Sequence, residues 1–258
     1  MGRIHATAVV HPEARVHETV EVGPFCVIGP KVKVGAGTRI GPHVVIEGDT
    51  TLGERNRVFP FASIGQVPQD LKYAGEDTQL VIGNENQIRE YATLHIGTAG
   101  GGGVTRIGNR NLFMANSHVA HDCRIGDGCV LANSVALAGH VEVGDHVIFG
   151  GLAAVHQFTR IGKHAFIAGG AMVGMDVPPY CTAQGDRAEL VGLNTVGLTR
   201  HGYSDEQIGR IKDAYKILFR SKIGLNEAIS TLKAEHGGHA EIDELLQFLE
   251  STKRGLTR

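Results

Sequence analysis

The sequence predicts a mainly β fold, a parallel β-helix followed by a small α-helical domain, and three observations carry that expectation. An aliphatic or aromatic residue recurs every six positions from Ile4 to Val173, the residue two places before it is usually small, and the pattern stops at Val177-Pro178-Pro179. A period of six belongs neither to a helix nor to a single long strand, whose side-chain periods are 3.6 and 2, but suits a short strand plus a turn.

The apolar positions run in register from Ile4 to Ile64, resume at Ile82, Ile88 and Leu94, and continue from Ile107 to Val173, 26 hexads in all. Small residues such as Ala8, Cys26, Thr38, Ala62, Cys123 and Ala171 hold the slot two before. Large and small inward positions then alternate, and three strands per 18-residue coil close a narrow triangular prism of eight to nine coils, stacked about 4.8 Å apart. Glycine often follows the apolar residue, as at Gly23, Gly35, Gly53, Gly65, Gly108 and Gly126, and is read as serving corners with unusual backbone angles. The repeat domain spans 1–177, with projecting loops at about 65–80 and 96–102 where the register is interrupted. A connector covers 178–203. The helical domain, 204–258, opens with Ser204 as N-cap and Gln207 at the capping-box position, then Ile208, Ile211, Tyr215 and Leu218 on one face. Two shorter helices are expected at about 225–235 and 241–252, separated by Gly237 and Gly238.

A formal net charge of −2 over 258 residues gives no nucleic-acid signature. The repeat begins at Ile4, leaving no room for a signal peptide, and no apolar run approaches a membrane span, so a cytoplasmic protein without membrane insertion is expected. Cys26, Cys123 and Cys129 occupy the small inward slot and read as packing residues; Cys181 lies outside the repeat and has no reading.

Long loops on a solenoid concentrate on functional faces. Counting each interruption as one step places Ile64, Leu94, Val119, Leu137 and Val155 in successive coils of one edge. Close behind them come the Asp70/Lys72 loop, His95, His121, His140 and His156, read as four histidines stacked along that edge. Imidazole suits proton transfer near neutral pH. Asp122 or another carboxylate would orient His121, the amide of Gly139 would meet a developing oxyanion, and no Ser or Cys stands out as a covalent nucleophile. Direct attack by a base-activated substrate hydroxyl is the simplest chemistry.

Asp70-Leu71-Lys72-Tyr73-Ala74-Gly75-Glu76, His118 through Cys123, Leu137-Ala138-Gly139-His140, Val155-His156-Gln157-Phe158 and Asp176-Val177-Pro178-Pro179-Tyr180 together resemble the UDP-N-acetylglucosamine O-acyltransferase family that begins lipid A synthesis. The resemblance implies a left-handed β-helix of hexapeptide repeats, a homotrimer, and transfer of a (R)-3-hydroxyacyl chain from acyl carrier protein to the sugar 3-hydroxyl, with no metal or cofactor. It implies His121 as general base beside Asp122, and Gly139 as oxyanion donor. Asp70, Lys72, His95, His118, His140, His156 and Gln157 would surround the sugar and diphosphate, and Asn194 and Arg200 would reach the nucleotide from the adjoining subunit or tail. Gly169 matches the position that sets acyl length, where glycine favours longer chains. Ile96, Val196 and His201 depart from the pattern of better-known members, and some members prefer a 3-amino sugar, giving an amide. Lys212, Lys216 and Arg220, spaced four apart with Arg210 and Lys222 nearby, form a basic stripe read as a docking surface for the acidic carrier. Two other classes compete: a zinc-dependent carbonic anhydrase of the hexapeptide type using His118, His121 and His140, and a non-catalytic scaffold.

Overall fold

A computed structural model describes residues 4–221 and 223–258; Lys222 of the basic stripe lies outside the described residues. The repeat forms a left-handed parallel β-helix. Its three faces contain nine, eight and ten strands among the described residues. Most strands are two residues long, one outward and one inward, and the inward residue is the hexad's apolar position: Ile28, Ile64, Leu94, Phe113, Leu137 and Phe149 are at most 1% exposed. The small slot is equally buried at Cys26, Ala62, Cys123, Cys129 and Ala153. All four cysteines are free thiols, and Cys181, which had no reading, packs inside the third face.

The register expected from counting hexads is observed. Ser63–Gln66 pairs with Thr93–His95, then His118–Val119, Ala136–Leu137 and Ala154–Val155 follow in successive coils, with Ile64 opposite Leu94, Leu94 opposite Val119, Val119 opposite Leu137 and Leu137 opposite Val155. Both interruptions therefore emerge at one corner, between the first and second faces.

The glycine reading needs correction. Of Gly23, Gly35, Gly53, Gly65, Gly108 and Gly126, only Gly65 has positive φ, at 77°. The others mostly lack room for a Cβ: one on Gly35 would lie 2.7 Å from the carbonyl carbon of Gly53, and one on Gly108 2.7 Å from the oxygen of Gly126. Tight stacking of coils demands these glycines, not turn geometry. The left-handed conformation instead falls three residues before the inward apolar position and is taken mostly by other residue types, including Phe25, His43, Asp122, His140, Phe158 and His164, with φ between 56° and 63°. Each such corner costs about 1–2 kcal/mol, offset by the coil closure it permits.

The stretch expected as a connector is more regular than that. Cys181–Gln184 adds a further parallel strand beside Phe166–Ile167, beyond the prolines, and Glu189–Leu193 returns antiparallel to it. Four α-helices follow among the described residues: α1 Thr195–Arg200, α2 Asp205–Phe219, α3 Leu225–His236 and α4 Ala240–Glu250. Ser204 and Gln207 form the expected capping box at α2, and Ile208, Ile211, Tyr215 and Leu218 face inward. Ile208, Ile211 and Leu218 pack with Leu232, Ile242 and Leu245 into a second core, while Tyr215 joins the core of the β-helix. The chain end then returns to the β-helix: Thr257 N–H donates to the Asp176 carbonyl at 2.8 Å, and Asp176 N–H to that of Gly255 at 2.9 Å. No helix among the described residues is long and apolar enough to cross a membrane.

Candidate active site

The corner between the first and second faces builds the site. His121 lies two residues past the inward Val119, and Asp122 occupies the left-handed corner itself. His121 Nδ1 is 2.8 Å from Asp122 Oδ2. Asp122 is held in turn: its Oδ1 accepts from Thr98 N–H at 2.9 Å, its Oδ2 from the Thr98 hydroxyl at 2.6 Å, and its own N–H donates to Thr105 Oγ1 at 2.7 Å. The glycine loop wraps this carboxylate so closely that a Cβ on Gly101 would collide with it. Thr98, Thr105 and Gly101 were not singled out from sequence; for Thr98 and Gly101 the available signal was their place in the second loop, just past His95, whereas Thr105 lies in the strand Val104–Ile107 that follows it.

With Nδ1 committed to Asp122, His121 Nε2 makes no hydrogen bond among the described residues and lies 4.0 Å from Asp70 Oδ2 on the first loop. Its ring lies against the backbone of Gly139, where a Cβ would come within 2.5 Å of Cε1 and 2.6 Å of Nε2. The Gly139 N–H makes no hydrogen bond among the described residues, while its carbonyl accepts from Phe158 N–H. Base and amide therefore share one wall.

The expected stack of four histidines becomes two edge-to-face pairs, His95 with His118 at 4.9 Å and His121 with His140 at 5.0 Å between ring centroids. A coil is 18 residues, so His140 is in register with Asp122 rather than His121, and it stacks on Phe158 at 4.3 Å, one coil further. His156 sits outside these pairs: Arg254 of the returning tail approaches its Nδ1 at 2.8 Å. Burial lowers the His95 pKa to about 4, with help from His118 and His121. Burial likewise holds His118 down, its Nδ1 2.7 Å from Thr93 Oγ1. His140 is lowered mainly by burial, with Asp122 opposing. These three rings serve as neutral hydrogen-bonding groups near pH 7.

Lys72 is exposed on the first loop, whose turn is closed by Asp70 Oδ1 accepting from Lys72 N–H at 3.0 Å, and Gln157 is also exposed. Gly169 is exposed, and a Cβ there would meet only backbone of Gly151, at 3.3 Å or more. Asn194 and Arg200 are not brought to His121 within the chain. Asn194 caps α1 by accepting from Gly197 N–H and donates to the His164 carbonyl at 2.9 Å, at the corner between the second and third faces. The basic stripe is largely committed: Lys216 Nζ is 2.9 Å from Asp213, and Arg220 donates to the Tyr215 hydroxyl at 3.0 Å and lies over that ring. Lys212 remains exposed.

His121, Asp122 and His140 place one ligand atom each within 4.8 Å of one another, a set whose type suits zinc. Three hydrogen bonds already occupy the Asp122 carboxylate, two from Thr98 and one from His121, and these describe an orienting group.

Fold and site define a transferase of the bacterial hexapeptide class, whose six-repeat family model matches residues 13–48 and 105–139. Residues 176–257 match a second model, described as UDP-N-acetylglucosamine O-acyltransferase, domain 2. The acyl-[acyl-carrier-protein]--UDP-N-acetylglucosamine O-acyltransferase of Myxococcus xanthus is 70% identical over 258 residues, all of both chains, and that of Herminiimonas arsenicoxydans is 50% identical, again over all of both. The crystal structure of the Moraxella catarrhalis UDP-N-acetylglucosamine O-acyltransferase superposes with a TM-score of 0.97 at 44% identity, covering 99% of this chain and 100% of that one. This chain belongs to the UDP-N-acetylglucosamine O-acyltransferase family.

Proposed function

We propose that the protein transfers a (R)-3-hydroxyacyl chain from acyl carrier protein to the glucosamine 3-hydroxyl of UDP-N-acetylglucosamine, the first step of lipid A synthesis. The observation that carries the reading is His121, anchored through Nδ1 to Asp122 with Nε2 open, in contact with the unpaired amide of Gly139. Nε2 takes the proton of the sugar hydroxyl as its oxygen attacks the thioester carbonyl. The tetrahedral oxyanion accepts from Gly139 N–H. Collapse expels the carrier's thiolate, which takes the proton back from Nε2. No acyl-enzyme is required, and burial makes the cysteines poor nucleophiles, with the Cys123 thiol pushed up to about 12.

Asp70, Lys72, His95, His118, His140, His156 and Gln157 ring the same corner and are assigned to the sugar and diphosphate. Asn194 and Arg200 serve the site of an adjacent subunit in a homotrimer.

The test is a mass-spectrometric competition among UDP-N-acetylglucosamine, its 3-amino analogue and a ladder of 3-hydroxyacyl carrier proteins. The ester from the longer chains is expected, given the open space at Gly169. A dominant amide product would reassign the acceptor, and no product with any pair would remove the reading.

A further inference from the structure

The chain beyond α4 returns to the β-helix and lays a guanidinium against the corner that carries His121. Its course is pinned on both sides of Arg254. Before it, Thr252 Oγ1 donates to Asp176 Oδ2 at 3.1 Å, and the other oxygen of that fully buried carboxylate accepts from Arg160 N–H at 2.9 Å. After it, the backbone pairing of Gly255 and Thr257 with Asp176 is joined by Thr257 Oγ1 donating to the Met175 carbonyl at 3.0 Å. Arg254 is thereby held across the step between two coils. Val155 stands opposite Val173, so the residues that follow them, His156 and Gly174, are neighbours on successive coils. One side chain spans both: Arg254 Nε donates to the Gly174 carbonyl at 2.8 Å, and a terminal nitrogen lies 2.8 Å from His156 Nδ1. Neither contact is to a carboxylate, the usual partner of a guanidinium.

The contact with His156 decides a tautomer. A guanidinium only donates, so Nδ1 must offer it a lone pair. In the other tautomer Nδ1 would donate to the Gln157 carbonyl, 3.2 Å away, and would turn an N–H towards the arginine. The arginine contact is the shorter of the two and comes from a charged donor, and it prevails. The ring proton then sits on Nε2. His156 is exposed, and its Nε2 makes no hydrogen bond among the described residues. An imidazole free to exchange tautomers becomes a fixed N–H donor, in the way that a partner on one ring nitrogen sets the role of the other.

We infer that Arg254 is a positioning residue for the sugar nucleotide: it holds His156 with the proton on Nε2, and that N–H donates to an oxygen of the sugar or its diphosphate. The inference rests on the assignment of His156 to that substrate above, and it makes the C-terminal tail a working part of the site. Thr252 and Thr257, by fixing the tail to Asp176 and Met175, set where the guanidinium lies.

Steady-state kinetics of Arg254→Ala, Arg254→Lys, His156→Ala and the Arg254→Ala/His156→Ala pair test this, with the thermal midpoint as a folding control. In Arg254→Ala the KM for UDP-N-acetylglucosamine is expected to rise about tenfold with kcat within about twofold. Lysine, which keeps an N–H donor, should recover part of the loss. The double variant should be no worse than His156→Ala alone, because the arginine acts only through the ring. Nitrogen NMR of histidine-labelled enzyme at alkaline pH, with the His156 signals identified by their absence in His156→Ala, should show an unprotonated Nδ1 in wild type and a mixture of tautomers in Arg254→Ala. A tail contact that only stabilises the fold would change neither the tautomer nor the coupling. Losses that multiply in the double variant overturn the inference, and so does a rise confined to the KM for the acyl donor. A protonated Nδ1 in wild type overturns it without any Arg254 variant having to fold. Wild-type enzyme that forms no product from UDP-N-acetylglucosamine with any acyl carrier protein would instead remove the underlying reading, a result read before any variant is compared.

Discussion

Two corners of the prism gather histidines at similar spacing. At the first–second corner His121 and His140 meet at 5.0 Å; at the second–third corner His146 and His164 stack at 5.0 Å, with His201 4.3 and 4.8 Å from them. At the first, a carboxylate fixed by Thr98 grips one ring, and Asp122 and His140 line a cleft beside it. At the second, the rings pack against Tyr180 and Tyr203, no histidine there has a carboxylate hydrogen bond among the described residues, and His164 is 3% exposed with Nδ1 unpartnered. Burial, then the neighbouring imidazoles, depresses the His164 pKa to about 3. Histidines clustered on a solenoid edge are thus not in themselves a catalytic signal; what sets the first corner apart is a held carboxylate beside a cleft, the basis on which proton transfer is proposed there.

The strongest way to break this contrast is to exchange the roles. His121→Ala should cost kcat 10²-fold or more, towards about 10⁴-fold, at unchanged thermal midpoint, whereas His164→Phe should leave kcat within about twofold; comparable losses would erase the distinction. Gly139→Ala comes next. Its methyl would enter the space of the His121 ring, and a displacement of about 1 Å should lower kcat by as much as about 10²-fold. A normal rate would show that the ring has room to move.

The third effect is on stability. His164 has a folded pKa of about 3, below an unfolded value of about 6.5, so as pH falls the unfolded chain takes up the proton first. Its contribution is fully present above about pH 6.5 and is lost on descent towards pH 3, amounting to about 2 kcal/mol at pH 5. His164→Phe should therefore show a smaller fall in thermal midpoint between pH 7 and pH 5 than wild type, and parallel curves would refute the assignment. Smallest of all, dialysis against a strong chelator should leave the rate within about twofold. Loss restored by zinc would make His121, Asp122 and His140 ligands instead.

The order of strands was readable because a constant 18-residue coil makes register a matter of counting, and two insertions at one corner shift the count without changing the face. Counting also placed His121 and Asp122 at that corner, whereas their proposed roles as base and orienting group come from the family resemblance. What counting by coils blurred was the offset within a coil: His121 and His140 are 19 residues apart, so their rings meet edge to face instead of stacking in register. The glycine pattern misled because a position intolerant of a Cβ looks the same in sequence whether the cause is dihedral or the next coil's carbonyl. The family resemblance implies Asn194 at the nucleotide, and its local duty as the cap of α1 was hidden because Ser204, ten residues on, has the stronger capping pattern.

The contact between the His121 ring and the Gly139 backbone joins neighbouring coils, in the proposed mechanism one supplying the acceptor of the proton and the next the donor to the oxygen. Their separation is fixed by the pitch of the helix rather than by any loop. Diversification of such an enzyme is accordingly divided by architecture: acceptor and chain length are free to drift with the insertions and the groove, while the reaction stays the same because its two working groups are adjacent steps of one staircase.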